Sequence, residues 1–233
     1  MTFTTHSPLW RFSKNAVARV GGWTCGFSVE GEENCPLTGG LLVFSNHLSF
    51  LDPPLLGGAF PRPLRYLGKK ELFFFPFGIL CRTYGAFPID REGADLSALE
   101  EVKKMVDGGE AVVIFPEGTR SLDGCLGRLR GGAIRLALDL SGGPDPVRII
   151  PVGIDGSDGV LPKGRVLPRS HPIKIRIGEA FTLADVIGMG RKARVRASAT
   201  EKIRTRMKAV LPEKRWPRED RADRLGPGIE EER

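Results

Sequence analysis

The run Ala111-Val112-Val113-Ile114-Phe115 constrains this chain more than any other feature, because five consecutive apolar residues leave no face for water. A strand that is wet on one side alternates polar with apolar. One that does not alternate is the kind covered on both faces in a parallel sheet. Leu41-Leu42-Val43-Phe44 is a second short buried strand, stopping where Ser45 and Asn46 begin. Val147 to Ile154 is another, interrupted by Pro151, which suggests an edge or an irregularity. Between the first two lies a clear helix signal. Ser97 with Glu100 forms a capping-box pattern, and Leu96, Leu99, Val102 and Val106 recur at helical spacing until Gly108-Gly109. Strand, helix and strand thus alternate, and the alternation argues for an α/β layer architecture.

The other segments fill in this pattern. Trp23 to Val29 and Arg65 to Gly68 read as strands, and Gly85 to Arg91 is an apolar segment ending in a charged pair. Ile173, Ile175 and Ile177 alternate with Lys174 and Arg176, the period of a half-exposed strand. Pro53 to Ala59 and Ala133 to Leu140 read as helices. A last helix carries the stripe Ala199, Ile203, Met207, Val210 and Leu211, with a largely basic remaining face that is read as solvated. Residues 1–211 form one domain. Residues 212–233, nearly all charged or Pro and Gly, read as a disordered tail.

Charge and cysteine usage narrow the class of partner. With 35 Lys and Arg against 28 Asp and Glu, the net charge is +7, which favours anionic partners: phospholipid headgroups, nucleic acid or an acidic carrier protein. Cys25, Cys35, Cys81 and Cys125 form no Cys-x-x-Cys pair and have no histidine at zinc-ligand spacing, so no metal is expected and a reduced intracellular compartment is the simpler reading. The N-terminus shows no signal-peptide core. The longest strongly apolar stretch, Leu72 to Cys81, falls short of the roughly 20 residues of a spanning helix. Contact with a membrane surface stays open. A helix over about residues 7–20, with Trp10 and Phe12 among Arg11, Lys14 and Arg19, suits a bilayer interface or packing on its own domain. Phe73-Phe74-Phe75 suits an acyl pocket or the membrane, although core packing is the simpler reading.

Three polar motifs follow apolar strands, where open α/β sheets collect their ligands: His47 with Asp52, Asp90 with Arg91, and Glu117 with Arg120. His47 sits at a strand's exit, five residues before Asp52. On an uninterrupted helix the two would point apart, so they face each other only across a turn. Asp52 precedes Pro53 and suits an N-cap; the competing placement makes Ser49 the cap and Asp52 already helical. A histidine is the natural base near neutral pH, and a carboxylate on its other ring nitrogen fixes the tautomer. Two arginines suit a phosphate. No Gly-x-Ser-x-Gly nucleophile is present, so direct attack by a substrate hydroxyl is preferred to a covalent intermediate.

Four blocks taken in order, Asn46-His47-x-Ser49-x-x-Asp52, Gly85 to Arg91, Phe115 to Ser121 and Ile149 to Ile154, resemble the glycerolipid acyltransferase family, most closely its 1-acyl-sn-glycerol-3-phosphate acyltransferase (PlsC-type) branch. The resemblance covers roughly residues 43–154. It implies a twisted mixed, largely parallel sheet flanked by helices, with His47 deprotonating the acceptor hydroxyl and Asp52 orienting it. It further implies acceptor binding by Glu117, Gly118, Thr119 and Arg120, with Arg120 and Arg91 near the phosphate and Lys70, or else Lys69, supplementing them. Pro88 stands where the family usually has phenylalanine, which loosens the expectation for the acceptor more than for the reaction.

The partners implied are a lysophospholipid acceptor, acyl-CoA or acyl carrier protein as co-substrate, and a membrane surface, with no nucleic acid, no cofactor and no metal. The location implied is cytoplasmic, on the inner face of the cell membrane. Glycerol 3-phosphate or another lysolipid, such as a lyso-ornithine lipid, is an alternative acceptor. A non-catalytic lipid-binding protein is the alternative from a different class.

Overall fold

In the computed structural model, the described residues are Asn15, 26–74, 78, 81–82, 85–89, 96–143, 145–160, 169–188 and 190–225. The expected interfacial helix at 7–20, apart from Asn15, and the Asp90–Arg91 pair, Phe75 and residues 226–233 lie outside them.

Seven strands form one sheet: β1 (Phe27–Glu30), β2 (Leu41–Ser45), β3 (Leu64–Lys69), β4 (Ala86–Ile89), β5 (Ala111–Ile114), β6 (Arg148–Asp155) and β7 (Ile173–Ile177). Their order is β1-β7-β6-β2-β5-β3-β4. Every pairing is parallel except β6 with β7, so the sheet is mixed and largely parallel, as expected. The two all-apolar runs are its centre: Leu41 pairs with Ala111 and Val43 with Val113, all wholly buried or nearly so.

Helices cover both faces. On one, Leu42, Phe44, Val112, Ile114 and Ile149 pack against α2 (Leu96–Asp107), α3 (Gly131–Ser141), α5 (Ala184–Ile187) and α6 (Lys192–Ala209). On the other, Leu41, Val43, Ala111, Val113, Ile150 and Val152 pack against Leu55, Leu56 and Ala59 of α1 (Asp52–Ala59) and Val160 of α4 (Ser157–Val160). The stripe Ala199, Ile203 and Met207 of α6 is wholly buried.

The prolines fall where a missing donor does least harm. Pro88 lies in β4, an edge strand. Pro151 is in an inner strand, not at an edge; the irregularity is real, however. Its nitrogen faces the gap between the end of the β7 ladder, Val152 with Ile177, and the isolated bridge of Ile149 with Phe181. Pro151 O still accepts a hydrogen bond from Gly178 N–H across that gap. At the end of the sheet remote from His47, buried Arg62 donates to the carbonyls of Pro36, Gly39 and Gly109, tying the approaches to β2 and β5. Its desolvation pulls its pKa below the ordinary arginine value.

Two expectations are corrected. Helix α2 begins at Leu96, so Ser97 is its second residue and not its cap. The chain after Pro212 is not disordered as far as Leu225. Glu213–Arg215 make a 3-10 turn, and Arg218–Leu225 form α7. Arg218 meets Asp123, Glu219 meets Arg204, and Asp220 meets Arg204 and Lys208, and Trp216 packs against the core while its Nε1 donates to the carbonyls of Lys208 and Leu211. Composition registers charge without registering whether each charge has a partner. The basic face of α6 is likewise partly paired: Lys202 meets Asp185, Arg204 meets Glu219 and Asp220, and Lys208 meets Asp220.

Candidate active site

β2 and β5 run side by side in parallel, so the chain leaves both at the same end of the sheet, and the first and third polar motifs meet there. Asn46 carries the pattern of β2 one step further with its side chain: Nδ2 donates to Ile154 O (2.9 Å), and Oδ1 accepts from Ile154 N–H (2.7 Å). This locks the residue before His47 to β6.

His47 Nδ1 lies 2.7 Å from Asp52 Oδ2. The two face each other across the turn at 48–51. The Ser49 hydroxyl accepts from Leu51 N–H and the Ser49 carbonyl from Asp52 N–H. Leu51 is the N-cap and Asp52 the first helical residue, so the Asp52 side chain does not cap its helix. It turns back into the loop. Oδ2 accepts the N–H groups of Leu48 (2.7 Å) and Ser49 (2.8 Å), and Oδ1 accepts the Ser157 hydroxyl (2.6 Å). With Asp52 wholly buried, these donors and the imidazole supply what water would have given it.

The His47 ring stacks on Phe115, with centroids 4.1 Å apart and planes 19° off parallel. Its side chain keeps 17% of its surface exposed. With Nδ1 engaged and the ring face covered, Nε2 is left without a partner among the described residues, the nitrogen a substrate would meet.

The backbone of His47 is gripped on both sides by the third motif. Its N–H donates to Glu117 Oε1 (3.0 Å), and its carbonyl accepts Ser121 N–H (2.7 Å). Glu117 Oε2 accepts Gly127 N–H (2.8 Å), which spans the loop at its base. Burial raises the Glu117 pKa, and the amides of Gly127 and His47 pull part of the way back. Each of its oxygens is thus held by a backbone donor, and what the carboxylate visibly does is brace His47. Gly118, at φ 71°, makes the turn that follows.

Arg120 lays its guanidinium over the Phe50 ring, 3.7 Å from the centroid, and makes no salt bridge with another described residue. Gly118 and Thr119 are exposed, and Arg120 is half-buried. Lys70, exposed, opens the 3-10 turn after β3, the strand beside β5, at the same end of the sheet. Arg91 lies outside the described residues. His47, Asp52, Glu117 and Arg120 therefore come together as expected, while Lys70 shares only the end of the sheet.

Sequence reasoning passed over three residues that hold the site: Phe115, Asn46 and Ser157. Ser157 had a signal, since it follows the apolar run 147–154 where the other motifs follow theirs. Asn46 and Phe115 stood inside the quoted motifs without a role, because a ring contact and a side-chain rung of the ladder appear only once strands are paired. Among the described residues, no group of three His, Cys, Asp or Glu is placed to hold a metal ion.

A histidine held by a buried carboxylate, with one nitrogen open and an arginine nearby, is the arrangement that acid–base chemistry on an anionic substrate requires. The Acyltransferase family model matches residues 26–155, which include His47, Asp52, Phe115, Glu117 and Arg120 but not Ser157. The chain is 31% identical over 204 residues to a 1-acyl-sn-glycerol-3-phosphate acyltransferase of Bacillus subtilis, a match covering 87% of this chain and 96% of that one. It is 32% identical over 141 residues to a chloroplastic 1-acyl-sn-glycerol-3-phosphate acyltransferase of Arabidopsis thaliana, covering 59% of this chain and 38% of that one. The fold is similar to the crystal structure of the 1-acyl-sn-glycerophosphate (LPA) acyltransferase PlsC from Thermotoga maritima, with a TM-score of 0.67 at 23% identity, covering 96% of this chain and 80% of that one.

The chain belongs to the acyltransferase family. Within the family, it falls with the PlsC-type branch that its four sequence blocks resemble.

Proposed function

We propose that the chain transfers a fatty acyl group from a thioester, acyl-CoA or acyl carrier protein, to the free hydroxyl of 1-acyl-glycerol 3-phosphate, giving phosphatidic acid. The observation that carries this reading is the His47–Asp52 pair with Nε2 open. The acceptor hydroxyl gives its proton to Nε2 as its oxygen bonds to the thioester carbonyl carbon. The imidazolium that forms keeps Nδ1–H on Asp52, whose charge stabilises it. The tetrahedral intermediate then breaks its C–S bond, and the departing thiolate recovers the proton from His47. No residue of the chain is acylated.

Arg120, with Lys70 and Arg91, supplies cations for the acceptor's phosphate, and the exposed backbone at Gly118 and Thr119 borders the same place. Phe50 beneath Arg120 holds the guanidinium plane in position. Glu117 serves the acceptor indirectly, through the backbone of His47. Because acceptor and product are lipids, the reading includes work at a membrane surface, the inner face of the cell membrane. No helix among the described residues is long and apolar enough to cross a membrane.

Thioester release measured with acyl-CoA and with acyl carrier protein, across 1-acyl-glycerol 3-phosphate, glycerol 3-phosphate and a lyso-ornithine lipid, tests the assignment. The highest kcat/KM is expected with 1-acyl-glycerol 3-phosphate. Arg120→Ala should raise KM for phosphorylated acceptors by about tenfold, the equivalent of losing about 1.4 kcal/mol of charge-assisted contact. An equal loss with the phosphate-free acceptor would make Arg120 a structural residue. A preference for another acceptor would replace the substrate assignment.

A further inference from the structure

Beyond the matched residues 26–155, the segment after Pro212 is tied to both loops that carry the site, and most of the ties run through Arg215. Its side chain is only 11% exposed. Nε donates to Asp155 Oδ1 (2.7 Å), Nη2 to Asp158 Oδ1 (2.7 Å), and Nη1 to both Asp158 Oδ2 (2.8 Å) and Gly124 O (3.0 Å). Its own carbonyl accepts Leu126 N–H (2.7 Å). Burial alone would lower the guanidinium pKa, but the hydrogen bonds to Asp158 and Asp155 outweigh it and hold the charge in place.

These partners are the roots of the site. Asp155 ends β6, and Asp158 stands in α4, whose first residue, Ser157, donates to Asp52 Oδ1. Gly124 and Leu126 lie in the loop whose Ser121 N–H holds the His47 carbonyl and whose Gly127 N–H holds Glu117. One side chain thus fastens the segment that orients Asp52 to the loop that grips His47 from both sides. Arg218 adds a more exposed tie to the same loop at Asp123.

We propose that Arg215 is a positioning residue for acyl transfer, setting the orientation of the His47–Asp52 pair by clamping α4 to the loop at 121–127. The inference rests on the reading of His47 as the base. Desolvating an ion network of this kind offsets much of its attraction, so fixed geometry is the larger return. A displacement of about 1 Å in such a pair is worth up to about a hundredfold in rate.

The test uses the full chain with Arg215→Met and Arg215→Lys. It reads kcat and KM with 1-acyl-glycerol 3-phosphate and acyl-CoA, the melting temperature, and the low-field proton NMR signal of His47 Nδ1–H, assigned by its loss in His47→Ala. For Arg215→Met still folded at the assay temperature, kcat should fall about 10- to 100-fold with acceptor KM within about twofold, and the Nδ1–H signal should shift or broaden. Millimolar guanidinium should restore part of the rate, and Arg215→Lys should fall between parent and Met.

A parental kcat with an unmoved signal would overturn the inference, as would a loss of activity that only tracks the unfolded fraction. If Arg215→Met does not fold, Arg215→Lys decides in the same way: a moved signal with lowered kcat supports the clamp, and no change in either refutes it. Turnover surviving in His47→Ala would refute the base assignment separately, since the response of the signal to Arg215 does not depend on catalysis.

Discussion

At the scale of single residues, the site is built by using up hydrogen-bonding capacity. Asp52 engages four donors or partners and Glu117 two backbone amides, so neither carboxylate is at liberty to move. Glu117 also carries a pH consequence. Because burial raises its pKa, the folded chain binds the Glu117 proton more tightly than the unfolded chain does. Its contribution to stability is therefore fully present below the ordinary value of 4.5 and declines as pH rises from there through the raised value. Chemical denaturation across this range should show that decline for the parent and a flatter profile for Glu117→Gln. Equal slopes would remove Glu117 as the source. The Gln variant should also be less stable at neutral pH, since its amide nitrogen would face a backbone N–H where an oxygen now accepts.

At the scale of elements, the turn at Gly118 shapes the loop after β5. A side chain there would sit at φ 71°, with its Cβ 3.2 Å from Arg130 Cγ. Gly118→Ala should cost about 1–2 kcal/mol, read from denaturant midpoints, and lower turnover through the displaced loop. An unchanged midpoint would show the turn to be more adaptable than its backbone suggests. Elements were also where sequence reading went furthest. Ala111–Ile114 and Leu41–Ser45 had no polar face, so burial in the sheet's centre followed from periodicity alone, and the polar motifs after them had to share one end. Element ends were less legible. The choice between Ser49, Asp52 and neither as a cap depended on where the Asp52 carboxylate found donors, and one of these, Ser157, is 105 residues away. Long separations likewise hid the partners of Asn46, 108 residues away, and of Arg215, 57 to 91 residues away.

At the scale of the molecule, a sheet with helices on both faces holds the site at one end, and the C-terminal segment closes over that end. Composition alone marked the segment as disordered, because its charges meet their partners, Asp123, Asp155 and Asp158, only in the folded chain. Ending the chain after Leu211 should therefore lower the melting temperature and the turnover together; unchanged values of both would return the segment to a dispensable tail. The central claim is narrower, that the open Nε2 of His47 is the base. Its most direct test is the rate of thioester release by folded His47→Ala with 1-acyl-glycerol 3-phosphate and acyl-CoA or acyl carrier protein. The account predicts a loss of roughly a hundred- to ten-thousand-fold in kcat with the melting temperature near that of the parent. Turnover within about tenfold of the parent would contradict it.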